Sequence, residues 1–161
     1  MAIEPAHATD AETRAGADDH LALRLWLRLL ASSNRIEALL RTRLRERHGV
    51  SLPRFDLMAQ LARHPQGLKM RELSARLMVT GGNVTGLTDR LVAEGLVERR
   101  DDPLDGRATT VHLTAAGARQ FAAMAREHEA WVIELFEGLP APDQARLHEL
   151  LGRLKQSLPE R

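Results

Sequence analysis

Apolar residues recur at helical intervals through most of the chain. Leu21, Leu25, Leu29, Ile36, Leu40 and Leu44 predict one long helix over 20–47. A second apolar set, Leu23, Trp26, Leu27 and Leu30, covers the other sides of its first half, where only Arg24 and Arg28 interrupt residues 21–31. A helix apolar nearly all round has to be covered on more than one side. So early in a small domain, a second chain is expected to provide the cover. Gly49 ends this unit. Ser51 is placed to cap a helix over 52–63, with Pro53 in its first turn and Phe55, Met58, Leu61 and Ala62 as its apolar stripe. A turn at 64–67 leads to a short helix over 68–77 carrying Met70, Leu73 and Leu77 on one face. Thr80 is placed to cap the next helix, which Gly95 stops.

Beyond Gly95 the period changes. Residues 96–100 and 108–113 read as two strands, the second alternating Thr109, Val111 and Leu113 against Ala108, Thr110 and His112. The stretch 101–106 between them reads as a turn-rich loop. Thr114 then opens a long helix to about Glu137, with Phe121, Ala125, His128, Val132 and Leu135 on one stripe and Trp131 alongside. Gly138, Pro140 and Pro142 break it, and a last helix carries Leu147, Leu150, Leu151, Leu154 and Leu158. The expected fold is mainly α with a small β-hairpin wing: a winged helix-turn-helix with a helical dimerisation arm. The expected division is a mobile acidic tail at 1–19, an N-terminal dimerisation helix at 20–50, the winged module at 51–113 and C-terminal dimerisation helices at 114–161.

The helix after Thr80 carries the candidate chemistry. At about 100° per residue, Val84, Leu87 and Leu91 share a narrow arc, which is the core face. The opposite arc holds Gly82, Thr85, Gly86 and Asp89, flanked by Asn83 and Arg90. An exposed helix face has no need of glycine, and Gly81, Gly82 and Gly86 each cost about 1 kcal/mol relative to alanine. A face without side chains lets the backbone approach a bulky partner, and a helix N-terminus attracts phosphate. Thr80, Gly81, Gly82, Asn83, Thr85 and Arg90 are therefore the candidate DNA contacts of this helix, reaching base edges or phosphates in a major groove. The competing reading is that the glycines only permit close packing against another helix. Arg107, on the wing, suits a narrow minor groove, with Asp105 holding its guanidinium in position. The competing reading of Asp105-Gly106-Arg107 is a turn and nothing more.

Charge qualifies this picture. The 161 residues include 23 basic and 22 acidic, a net charge of +1, which alone argues against a nucleic-acid partner. The average hides a split: residues 1–19 hold five acids against Arg14 alone, leaving 22 basic and 17 acidic residues in the remainder. The segment from Lys69 to Arg107 balances seven basic with seven acidic residues, so binding there has to rest on where charges sit. There is no cysteine, which excludes disulfides and thiolate metal sites. The seven histidines have no spacing that specifies a metal, and no cofactor is expected. No glycine-rich nucleotide loop and no nucleophile–base constellation is visible, so the chain does not read as an enzyme. No apolar run is long enough for a membrane helix and no signal peptide is visible, so a cytoplasmic protein is expected.

Residues 73–114, LSARLMVTGGNVTGLTDRLVAEGLVERRDDPLDGRATTVHLT, resemble the core of the MarR family of transcriptional regulators. The resemblance lies in LTDRLVAEGLVERR and in the wing pattern of Asp105 and Arg107 followed by Leu113 and Thr114, and it extends through the helical flanks over roughly 20–158. It implies a homodimer joined by the first and the last two helices, binding a pseudo-palindromic DNA operator, usually as a repressor released by a small ligand. Two departures stand out. Where the family's wing commonly reads Asp-Arg-Arg, this chain has Gly106, which removes one cation and implies lower or less salt-dependent DNA affinity. Where the short helix often opens with Ser or Thr, this chain has Lys69. Family effectors often sit between arm and module, and many are aromatic acids or their conjugates. Arg24, Trp26, Arg28, Arg54 and Phe55 are the groups that could meet a carboxylate and a ring. The competing reading makes Trp26 a core or interface residue and the arginines solvated or ion-paired. The expected function is a sequence-specific DNA-binding regulator, a homodimeric repressor released by a small organic effector. The alternative is a dimeric winged-helix scaffold that binds protein and not DNA.

Overall fold

The structure, a computed structural model, describes residues 21–77, 81–102 and 105–159, with side chains for all of these except 81, 82 and 105–107. Helix α1 runs Leu21–His48, α2 Leu52–Arg63, α3 Met70–Arg76, α4 Gly81–Ala93, α5 Ala115–Phe136 and α6 Ala141–Ser157. Strand β1 is Leu68–Lys69, β2 is Val97–Asp102 and β3 is Asp105–Leu113. They form one antiparallel sheet in the order β1-β3-β2, with Leu68 opposite Val111 and Val97 opposite Leu113.

The core sits where α2, α3 and α4 meet the sheet. Leu57, Met58, Leu61, Leu73, Val84, Leu91, Val97 and Val111 are essentially without solvent contact. Leu44 from the end of α1 and Met124 from α5 close it from the arm side. Each such leucine contributes about 1.5–3 kcal/mol by leaving water. Of the faces predicted for α3 and α4, Leu73, Leu77, Val84, Leu87 and Leu91 are buried, whereas Met70 is half-buried against the core. Leu57, Thr88 and Met124 are buried too, beyond the residues the stripes single out, whereas Ala62 is exposed. Thr88 enters the core because its hydroxyl donates to the Val84 carbonyl at 2.8 Å, one turn back.

Three boundaries differ from the expectation. Leu68 and Lys69 are a strand and not the start of a helix, because they pair with Val111 and Thr110 while Leu68 fills the core. Sheet pairing here overrides a helical period. The wing strands also run further than expected, through Asp102 and from Asp105, so only 103–104 lie between them. Asp101 and Asp102 are adjacent, but their partners Thr109 and Asp105 are four positions apart, so 106–108 bulge from the ladder. Ser51 takes the N-cap position without a side-chain cap bond. Thr114 does cap α5, accepting from Gly117 N–H at 3.0 Å.

The arm carries far less burial. In α1 only Leu40 and Leu44 are buried, and α6 has no buried residue. Leu21 is 67% exposed, Leu25 59% and Trp26 55%, and Leu150, Leu151, Leu154 and Leu158 are likewise exposed. Ion pairs fasten the C-terminal half of α1 to α5. Arg43 forks onto Glu134 at 2.8 Å for both bonds, raising its own pKa and holding the Glu134 carboxyl below its usual range. Glu127 lies 3.5 Å from both Arg47 and His48.

Candidate nucleic-acid interface

Helix α4 turns its core arc inward and leaves the opposite arc in solvent. Asn83, Thr85, Gly86, Asp89 and Arg90 are exposed. Among the described residues nothing lies within 4 Å of where a Cβ on Gly86 would sit, so packing among them does not explain that glycine. Thr80, predicted as cap and contact, lies outside the described residues. Gly81 and Gly82 form the first turn of α4, which leaves its N–H groups without intrahelical partners at that end. Arg90 has no ion pair among the described residues. Asp89 does, with Arg99 of β2 at 2.6 Å. The pair removes an unshielded carboxylate from a face expected to meet phosphate.

The wing is tied back near its tip. Its residue Asp102 receives Lys69 Nζ at 3.1 Å, so the lysine at the start of α3 holds the wing strand. Lysine offers no acceptor, so only the reverse half of a capping box forms: Lys69 N–H donates to Glu72 Oε2 at 2.8 Å. Asp105 and Arg107 both lie on β3, and Arg107 falls in the bulged stretch. Their side chains, and so the expected contact between them, lie outside what is described. Sequence reasoning passed over Arg71 and Arg76, exposed cations of α3 with no ion pair among the described residues. The available signal was their position off the Met70, Leu73 and Leu77 stripe.

The end of α4 is held by α2 and by the start of α5 with its cap. Gly95, at φ 72°, turns the chain, with Leu96 N–H returning to the Leu91 carbonyl at 3.0 Å. Thr114 Oγ1 donates to the Gly95 carbonyl at 2.7 Å. Arg54 of α2 grips Glu94 with two bonds of 2.8 and 2.5 Å. Gly117 of α5 packs so closely on this turn that a Cβ there would lie 1.9 Å from the Leu96 carbonyl oxygen.

One chain does not bring the five expected ligand residues together. Arg24, Trp26 and Arg28 sit on the exposed end of α1, about 24–30 Å along the helix from Leu44, where the core begins, at 1.5 Å per residue. Phe55 is 5% exposed, stacked on His128 with ring centroids 4.5 Å apart and near Phe121 at 5.4 Å. Burial pushes the His128 imidazole below its usual pKa. Arg54 is committed to Glu94. Among the described residues no group of histidines and carboxylates is arranged to hold a metal ion.

Residues 48–108 match the sequence model of the MarR family. An HTH-type transcriptional regulator of Bacillus subtilis, YkoM, is 32% identical over 107 residues, covering 66% of this chain and 68% of its own. The crystal structure of a MarR family transcriptional regulator from Silicibacter pomeroyi is 34% identical, with a TM-score of 0.73 over 86% of this chain and 95% of that one. Bordetella bronchiseptica BpsR, at 19% identity, shares the fold with a TM-score of 0.71 over 87% of this chain and 99% of its own. The relatives are regulators and not enzymes, and with the exposed face of α4 beside a two-stranded wing they identify the chain as a DNA-binding transcriptional regulator of the MarR family.

Proposed function

We propose that the protein acts as a homodimer that represses transcription at a pseudo-palindromic operator and leaves it when a small organic ligand binds. The observation that carries the reading is the outward arc of α4, where Asn83, Thr85 and Arg90 flank an open Gly86. Such a surface fits a major groove, and the exposed arginines Arg71 and Arg76 of α3 fit the phosphates beside it. Gly81 and Gly82 supply the helix N-terminus, Thr80 is the contact proposed just before it, and Arg107 with Asp105 is the minor-groove contact proposed for the wing.

The exposed leucines of α1 and α6 support the dimer, since a helix with no buried residue gains little from its own chain. Twofold symmetry then sets two recognition helices about one DNA turn apart, ~34 Å. The ligand reading draws on BpsR, whose DNA binding is regulated by 6-hydroxynicotinic acid. Of the residues considered for the ligand, Arg24 and Trp26 lie exposed on α1, and Arg54 is engaged with Glu94. No helix among the described residues is long and apolar enough to cross a membrane, in keeping with a cytoplasmic regulator.

Selection of duplexes from a randomised pool, followed by a salt series on the selected site, tests the reading. A palindromic site is expected, with affinity falling steeply as salt rises. No preference over random duplex would defeat it in favour of a protein-binding scaffold. Arg107→Ala is expected to weaken the selected site by roughly tenfold, in the range of one lost specific contact, while the sedimentation of the dimer stays unchanged.

A further inference from the structure

Glu94 is an unusual residue to find at the end of a recognition helix. A helix C-terminus carries partial negative charge and favours cations, so a carboxylate there is repelled by the carbonyls beside it. It also adds an anion to a module whose task is to approach phosphate. The structure resolves both problems through Arg54, whose planar fork takes both Glu94 oxygens at 2.8 and 2.5 Å. The Arg54 side chain is 19% exposed, so the pair is shielded from water on the arginine side, and its Nε is buried with no acceptor. A buried donor left unpaired is unfavourable. A surface ion pair placed only for solubility has no reason to accept that burden. Forty residues of sequence separate the partners: Arg54 lies in the first turn of α2, next to the Phe55 that stacks on His128 of α5, and Glu94 directly follows α4.

We propose that Arg54 and Glu94 form a positioning clamp that sets the angle of the recognition helix relative to the α2–α5 platform, and so tunes sequence-specific DNA binding. The clamp rests on the DNA-reading role of α4. It acts at the helix end furthest from the N-terminal turn that would enter the groove. A rotation about the Gly95 turn is therefore magnified at Asn83 and Thr85. Arg54 touches no base in this account; it works through Glu94 and the backbone that follows.

Charge makes the test decisive. Arg54→Gln removes a cation near DNA and Glu94→Gln removes an anion, so a purely electrostatic role shifts affinity in opposite directions. Positioning shifts it the same way. Both variants are expected to weaken the site selected from a random pool about tenfold, with a scrambled duplex bound within about twofold, since specific contacts need register and phosphate contacts do not. The swap Arg54→Glu with Glu94→Arg is expected to restore most of the loss, the signature of a direct pair in a double-mutant cycle. In the protein without DNA, amide exchange in α4 is expected to quicken in both single variants and recover in the swap. Opposite signs on DNA, unchanged α4 exchange, or a drop in melting temperature with normal specific affinity would each overturn the clamp. Absence of any selected site for the unaltered protein would instead count against the DNA reading, with the exchange measurement still deciding whether the clamp orders α4.

Discussion

Two glycines illustrate how differently one residue type is used here. Gly117 has to lack a side chain because the Leu96 carbonyl occupies the place of its Cβ, at 1.9 Å. Gly86 has empty space in the same position. The first is a requirement of packing between α5 and the turn after α4, and the second has no counterpart among the described residues. Gly117→Ala is therefore expected to destabilise the fold by about 1–3 kcal/mol, the range for overpacking a close contact. Calorimetry should show a melting temperature several degrees lower, and a value within one degree of the unaltered protein would refute this account of the contact. Nothing in the local sequence marks Gly117, since a glycine in the first turn of a helix says nothing about which backbone approaches it. His128 was legible as part of an apolar stripe, but not as the residue stacked on Phe55, because that pairing joins two helices distant in sequence.

Helix α4 is the element whose two faces were both written in the periodicity. Val84, Leu87 and Leu91 could be placed inward from spacing alone, and the polar and glycine positions followed as the outward arc. The same reasoning failed at Leu68 and Lys69, where apolar spacing matches a helix but β3 offers a backbone ladder to pair with. It also stopped the wing strands short, because Asp101, Asp102 and Asp105 are poor strand formers that the hairpin nevertheless carries. On the outward arc, Gly86→Leu is expected to leave folding intact and to abolish binding to the selected duplex, with a loss of at least about tenfold for groove contacts pushed out of register. Circular dichroism and a titration on that duplex would decide it. Normal affinity would mean that the open glycine does not face DNA.

The whole chain divides its apolar residues unevenly. The reading module buries its own, whereas α6 and the first half of α1 leave theirs in water. That imbalance was visible in the surplus of leucine around Trp26 and Leu150, and it makes the proposed dimer a matter of surface area more than of particular ion pairs. Leu150→Lys with Leu154→Lys is expected to shift sedimentation from dimer to monomer at micromolar concentration, because two desolvated sites would then hold unpaired charge. A variant that stays dimeric would place the interface elsewhere. The ligand residues were the least legible part. Aromatic and basic side chains along α1 and α2 look alike in sequence, and only the fold separates the exposed Arg24 and Trp26 from Arg54, paired with Glu94, and the buried Phe55.

Helix α5 starts where the wing ends: Leu113 closes β3, Thr114 caps, and the helix runs 22 residues toward the arm. At 1.5 Å per residue it is a rod about 33 Å long. A tilt of about 5° at one end carries the other through about 3 Å, close to the ~3.4 Å step between neighbouring base pairs. In the proposed dimer a tilt that small would shift each reading head by close to one base step, so that the spacing of a palindromic site would act as the gauge against which the arm is measured.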